Sequence, residues 1–231
     1  MKLKRFIQQY RGSSFPTLIE TENAQTYVLK MRGSGNGAIS LVSEFIVSRI
    51  ASQLGWPIPD ARWIQIPDNL PWTFGSDEFD DIVQKSFGWN LGISYIPDSS
   101  PIAFDNQLLA DPVLVSALYT IDLFFMNMDR TNSANNLLRD THNKIWIIDH
   151  GALALFQPGV KQTLELFHNH VLFEVPSISK KQYNTALHAP ELFKTIIHQI
   201  PDAIINETHF SRDTLLTRII HRAVAMSEFV A

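Results

Sequence analysis

Apolar patterning changes character at Pro97, and that change limits the folds open to this chain. Before it, short alternating runs dominate. "TLIET" and "TYVLKM" read as two strands joined by a polar turn, and "ARWIQI" and "LGISYIP" as two more, the last stopped by Pro97. One helix interrupts them: in "AISLVSEFIVSRIASQLG", Ile39, Val42, Phe45, Ile46 and Ile50 recur at helical spacing and Gly55 is placed to cap the end. The acidic stretch "DNLPWTFGSDEFDD" reads as a long connection, and "PDSSPIAFDNQ" as a linker. Beyond the linker the pattern turns helical. "DPVLVSALYTIDLFFMN" opens on Asp111 followed by Pro112, a strong helix start; "SKKQYNTALHA", "PELFKTIIHQI" and "RDTLLTRIIHRAVAMSEFV" come later. Strands first and helices afterwards predict an α+β chain of two lobes, residues 1–97 and 98–231, forming one domain. A cleft between lobes is a common ligand site.

Composition removes several function classes. The chain of 231 residues is long enough to bury a sizeable core. Its net charge of -4 argues against broad nucleic-acid binding, which needs clustered Lys and Arg. The basic cluster "MKLKRF" is short and reads as a solvated tail. With no cysteine there is no disulfide, no thiol nucleophile and no Cys-based zinc site, which suits a reducing cytoplasm. The basic start lacks the apolar run of a secretory signal, and no segment has the apolar length of a membrane span.

One stretch is out of character for a buried region. "NMDRTNSANNLLRD" follows an apolar helix and precedes the apolar "KIWIIDHGALALF", so a polar loop and two acids, Asp129 and Asp149, lie between segments that bury themselves. Asn and Ser stabilise turns, which is one sufficient reason for such a loop. A second is chemical. Phosphoryl transfer needs a carboxylate beside the acceptor hydroxyl and a metal held by oxygen ligands, and Mg²⁺ takes carboxylate, amide and phosphate oxygens. The order Asp129, an Asn, a hairpin through "LLRDTHNKIWII", then Asp149-His150-Gly151 is the order of parts in a kinase catalytic and metal loop. The protein-kinase pattern sets the Asn five residues after the Asp, where this chain has Ala134. Asn136, directly before "NLL", is preferred as metal ligand; Asn132 and Asn135 are the alternatives. Gly151 would let the chain turn sharply after Asp149.

Upstream residues complete the set. "TYVLK" ends a strand on Lys30, where a kinase supplies a cation for the α and β phosphates, and Glu44 lies on the following helix, where a kinase pairs a Glu with that Lys. Leu41 and Val47 flank Glu44 on its helix face, so its carboxylate points into protein and needs a partner.

"YVLKMRGSGNGAISLVSEFIVSRIASQLGWPIPDA", "FFMNMDRTNSANNLL" and "IWIIDHGALALF" together resemble the HipA-like kinases, in the compact branch that shares only their kinase-like core; the resemblance runs over residues 10 to 175. It implies a two-lobed protein-kinase-like fold that binds Mg·ATP in its N-terminal lobe and phosphorylates Ser or Thr of an unidentified protein substrate. By that resemblance Asp129 positions the acceptor or acts as base, Lys30 holds phosphates, Glu44 orients Lys30, and Asn136 with Asp149 holds Mg²⁺. A Gly-rich lid before Lys30 is missing; Gly12, Ser13 and Ser14 stand in the position of the family's phosphate loop. Backbone groups near Tyr95 and Ile96 would meet adenine at the hinge, although Pro97 offers no N–H.

Other candidates carry less. "GSGNG" after Lys30 reads as a flexible connection, on the wrong side of Lys30 for a lid. His168 and His170 would share a strand face but lack a third ligand. Asp122 either anchors the catalytic loop through backbone groups or faces solvent, and Phe124 and Phe125 belong to the core. Two other readings compete with the kinase: a catalytically inactive kinase-like binding module, such as a toxin–antitoxin-type partner protein, and an unrelated Mg²⁺-dependent phosphoesterase. The latter leaves Lys30 and Glu44 without a reason.

Overall fold

In the computed structural model residues 11, 13, 36 and 71–75 are excluded from description and all others are described. The strand-rich half forms one antiparallel sheet. Its members in chain order are β1 (Leu3–Gln9), β2 (Thr17–Thr21), β3 (Thr26–Lys30), β4 (Ala61–Ile66) and β5 (Gly88–Ser94), arranged β1-β2-β3-β5-β4. The two outer strands approach each other at one end, where the Gln65 N–H donates to the Met1 carbonyl at 2.8 Å. The "MKLKRF" segment is therefore an edge strand and not a solvated tail. Leu3 and Phe6 are buried, while Lys4 and Arg5 pair with Glu20 on β2. Register shifts along β1 break the simple alternation, which is why the strand is hard to see in the sequence.

α1 (Ala38–Leu54) lies between β3 and β4 in sequence and ends at Gly55, as its pattern predicts. It is buried nearly all round, because β4 and β5 pack on it from one side and C-terminal helices from the other. The acidic connection contains a helix that the sequence reading missed, α2 (Asp77–Lys85). The Ser76 side chain caps it by accepting from Phe79 N, three acids occupy its first turn, and Phe79, Ile82 and Val83 meet the sheet at helical spacing. Together with Ile19, Leu29 and Ile64 these side chains form a small core on the sheet face away from α1.

Past Pro97 the linker holds a short strand, β6 (Ser100–Ile102). α3 (Pro112–Phe125) starts as expected, with the Asp111 carboxylate accepting from Val113 N and Leu114 N. The hairpin also forms: β7 (Leu137–Arg139) and β8 (Ile145–Ile147) pair antiparallel, with β6 beside β7. α4 (Pro190–His198), α5 (Asp202–Ile205) and α6 (Arg212–Val230) complete the chain. "SKKQYNTALHA" is two separate 3₁₀ turns, Lys180–Gln182 and Thr185–His188, and not one helix; Asn184 caps the second by accepting from Ala186 N. Phe124, Phe125, Phe156 and Phe193 pack as a cluster in the large core shared by α1, α3, α4 and α6. Among the described residues no helix is long and apolar enough to cross a membrane.

The connection after Lys30 is built by close approach. Gly33 N–H donates to Ser86 Oγ at 3.0 Å, and a Cβ on Gly33 would lie 2.8 Å from the Ile82 carbonyl oxygen. Gly33→Ala should therefore push α2 off the turn and lower stability by about 1–3 kcal/mol, read as a lower urea midpoint. An unchanged midpoint would mean that this approach carries no weight.

Candidate active site

Lys30, the last residue of β3, points from the sheet toward α1. Its Nζ pairs with Glu44 Oε1 and lies 2.8 Å from Asp149 Oδ1. Three of the residues singled out in the sequence thus meet in one place, although Lys30 and Asp149 are 119 positions apart. Burial alone would lower the Lys30 pKa, but the two carboxylates more than reverse this and raise it. Burial likewise pushes Glu44 up, and the Lys30 charge with the neighbouring His150 side chain overrides it, holding the carboxyl below the usual range. The Glu44 side chain is 5 % exposed and the Asp149 side chain 47 %. The first is an internal brace; the second faces solvent.

Asp149 owes its place to the hairpin. Leu137 pairs with Ile147, and Ile148 N donates to the Asn136 carbonyl at 3.0 Å, so Asn136 and Asp149 emerge together from the same end of β7 and β8. Both take left-handed backbone, φ 50° and 62°, which Asn and Asp tolerate better than most residues. The sharp turn is thus at Asp149 itself. Gly151 serves a different purpose from the one expected: a Cβ there would lie 2.6 Å from Ser40 Oγ, so Gly151 lets the loop press against α1. The candidate Asn residues also separate. Asn135 Oδ1 accepts from Phe104 N, and its Nδ2 donates to the carbonyls of Thr131 and Asn132, so that amide ties the loop together. Asn132 is exposed in the loop, and Asn136 is half-buried beside Asp149.

Asp129 is exposed, and its N–H donates to Asn127 Oδ1 at 3.1 Å. Partial desolvation, then the Asp149 charge, push its carboxyl pKa up against the pull of Lys30 and Arg130.

Beneath the loop lies a buried network that sequence reasoning did not find. Arg130 is 0 % exposed. Its Nε donates to Asp122 Oδ2 at 2.5 Å, and its Nη1 donates to the carbonyls of Asn135 and Asn136, both at 3.0 Å. Its Nη2 lies 3.4 Å from the Ile148 carbonyl and 3.2 Å from His150 Nε2. One guanidinium thus holds both ends of the hairpin. Asp122 neither faces solvent nor collects backbone donors: it accepts from Arg130, from Asn127 Nδ2 at 2.8 Å and from His170 Nε2 at 2.9 Å. Burial raises its pKa, and Arg130 with His170 reverses this to well below the usual range. His168 and His170 do not share a strand face. They sit in a turn, where His168 is exposed and His170 alone is buried. The available signal was the three polar residues Asp122, Asn127 and Arg130 crowded at the end of an apolar helix.

The remaining candidates surround this centre. Gly12 and Ser14 lie in the β1–β2 loop; the Phe15 N–H donates to the Gly12 carbonyl, and Ser34 Oγ lies 2.9 Å from the Ser14 carbonyl, which ties that loop to the turn after Lys30. Within "GSGNG", Ser34 is therefore held beside the β1–β2 loop, Gly35 and Gly37 take left-handed backbone, and Asn36 lies outside the described residues. Ser13 lies outside the described residues. Tyr95 and Ile96 follow β5 directly: Tyr95 N donates to the Thr26 carbonyl, and the Ile96 carbonyl accepts from Ser99 Oγ. A row the sequence did not suggest runs across the sheet from Leu18 through Val28 to Ile93, paired strand to strand. Val28 shares the face of Lys30, two residues away, so the row forms an apolar shelf next to the charged centre.

These placements separate stability from exposure. Asp122→Ala strands a buried guanidinium and should cost about 3–5 kcal/mol. Asp149→Asn, at an exposed side chain, should change stability by no more than about 1 kcal/mol. Urea unfolding of the two variants tests the contrast. Because the Asp122 pKa is depressed in the folded state, its contribution is complete above the unfolded carboxyl value of about 4 and is lost progressively as the pH falls below that.

Comparison with known proteins bears on the fold and the family. No curated protein sequence matches the chain. Among solved structures it is similar to the Helicobacter pylori proinflammatory kinase CtkA, with a TM-score of 0.52 and 12 % identity over 99 % of this chain and 95 % of that one. At such identity the likeness concerns the fold: two-lobed and protein-kinase-like. The family described as HipA-like kinase matches residues 4–219, nearly the whole length. The chain is a member of the HipA-like kinase family.

Proposed function

We propose that this protein is a Mg·ATP-dependent kinase that phosphorylates a Ser or Thr hydroxyl of a protein. The observation that carries the reading is the convergence of Lys30, Glu44 and Asp149 from three separate segments, with Asn136 beside Asp149 at the hairpin end and Asp129 within electrostatic reach of Lys30 and Asp149. The donor set suits Mg²⁺. Asn136 and Asp149 supply one amide and one carboxylate oxygen, and among the described residues no cluster of three or more His, Cys, Asp or Glu could cage a metal without phosphate oxygens. When bound, Mg·ATP supplies the transferable phosphoryl group and the metal that neutralises its charge.

The chain's own residues then divide the work. Lys30, oriented by Glu44, draws in the α and β phosphates. Asn136 and Asp149 hold the metal. Asp129, exposed and with a raised affinity for protons, positions the acceptor hydroxyl and takes its proton. The Leu18–Val28–Ile93 shelf covers the base, and backbone groups at Tyr95 and Ile96 meet its edge. Gly12 and Ser14 approach the phosphates from the β1–β2 loop. The boundary between nucleotide-binding and catalytic lobes falls at Pro97. A cytoplasmic location suits the cysteine-free chain. A binding module without turnover is the second reading, favoured by the seven-residue step from Asp129 to Asn136.

Calorimetric titration with ATP, with and without Mg²⁺, tests the site. We expect magnesium-dependent binding that disappears in Asp149→Asn, and equal binding by both proteins would refute the metal assignment. Asp129→Asn should keep nucleotide affinity while ATP turnover falls by about 10²–10⁴-fold. A wild type that binds Mg·ATP but turns over nothing would favour the binding module.

A further inference from the structure

We infer that His150 is a positioning residue that couples the Lys30–Glu44 pair to the catalytic loop organised by Arg130. The coupling itself is a property of the chain; its consequence for nucleotide rests on the kinase reading above. His150 is 1 % exposed and lies between two charged side chains. Arginine can only donate hydrogen bonds. The 3.2 Å contact from Arg130 Nη2 therefore requires a lone pair on His150 Nε2, which places the imidazole proton on Nδ1. That nitrogen faces Glu44 Oε2 at 3.7 Å, and the His150 backbone N–H donates to Glu44 Oε1 at 2.9 Å.

The result is a directed chain of contacts. Arg130 donates at one end to Asp122 and at the other to His150. The His150 backbone N–H donates to Glu44, and Lys30 donates to Glu44 and Asp149. Glu44 Oε1 receives both Lys30 and the His150 N–H, so the direction of the carboxylate depends on where His150 stands. His150 in turn can hold its tautomer only while Arg130 is seated on Asp122. A displacement of the catalytic loop is thereby carried to the lysine, and Lys30 is aligned only when the loop around Asp129 is in place.

The test compares His150→Phe, which keeps an aromatic ring but cannot accept from Arg130, with His150→Gln, whose amide oxygen can; both keep the backbone N–H that donates to Glu44. Two readouts are taken at a temperature where all three proteins are folded by circular dichroism. The first needs no nucleotide: the rate of Lys30 acetylation by acetic anhydride, followed by mass spectrometry with surface lysines as internal controls. We expect about a tenfold rise in His150→Phe, the effect of a lost buried hydrogen bond, and a return to near the wild-type rate in His150→Gln. The second is Mg·ATP affinity by calorimetry, expected to weaken about tenfold in Phe and to recover in Gln. Unchanged Lys30 labelling in His150→Phe, or equal labelling in Phe and Gln, would overturn the coupling. The expected labelling pattern in a wild type that binds no Mg·ATP would uphold the coupling and reject the kinase reading instead. If His150→Phe does not fold, a failure of His150→Gln to keep the wild-type labelling rate overturns the proposal, and a kept rate supports it.

Discussion

The site depends on one buried cation. Arg130 is removed from water, and a guanidinium in that position is tolerable only if its donors are met and its charge is balanced. Asp122 supplies the charge from the last turns of α3, and the carbonyls of Asn135, Asn136 and Ile148 meet the rest of the fork. Those carbonyls belong to both ends of the hairpin, so satisfying the arginine and closing the loop are the same event. The planar, rigid shape of the guanidinium matters here, since a lysine ammonium could not reach this set of acceptors at once. The energetic argument is one of specificity more than of stability, because alternative loop conformations would leave a buried charge without partners.

Around that cation the molecule separates holding from acting. Asp122, Glu44, Arg130, His150 and His170 are buried and engage one another, whereas Asp129 and Asp149 stand exposed. The exposed acids sit on irregular backbone, Asp149 in left-handed conformation and Asp129 in a loop pinned by Asn127, and the half-buried Asn136 is left-handed as well. Irregular backbone of this kind persists only where its surroundings over-determine it. The buried network supplies that determination, and α1, enclosed by the sheet and the C-terminal helices, carries Glu44 into contact with it.

Much of this was legible in the sequence, for identifiable reasons. α1, α3 and β4 announce themselves through periodicity and end signals that depend on local chemistry alone. Lys30, Glu44, Asp129 and Asp149 were legible because their order along the chain follows a known arrangement of parts. The misses share a cause. β1 was hidden because its register shifts destroy the alternation, and α2 because its buried face is only Phe79, Ile82 and Val83 within an acidic stretch. Arg130 and His170 looked like ordinary polar residues, since their partners lie eight and 48 positions away at Asp122. Gly151 was assigned to a turn, but its reason is a close approach to Ser40 on a helix distant in sequence. Tertiary contact decides such cases, and local pattern carries no trace of it.

The most direct measurement is a crystal structure with Mg²⁺ and a non-hydrolysable ATP analogue. The account requires the metal on Asn136 and Asp149, the phosphates on Lys30 with Glu44 still paired to it, and the base under the row from Leu18 to Ile93. Arg130 should be unmoved. Nucleotide bound elsewhere, or a metal held by Asn132 or Asn135 with the Arg130 contacts broken, would contradict it.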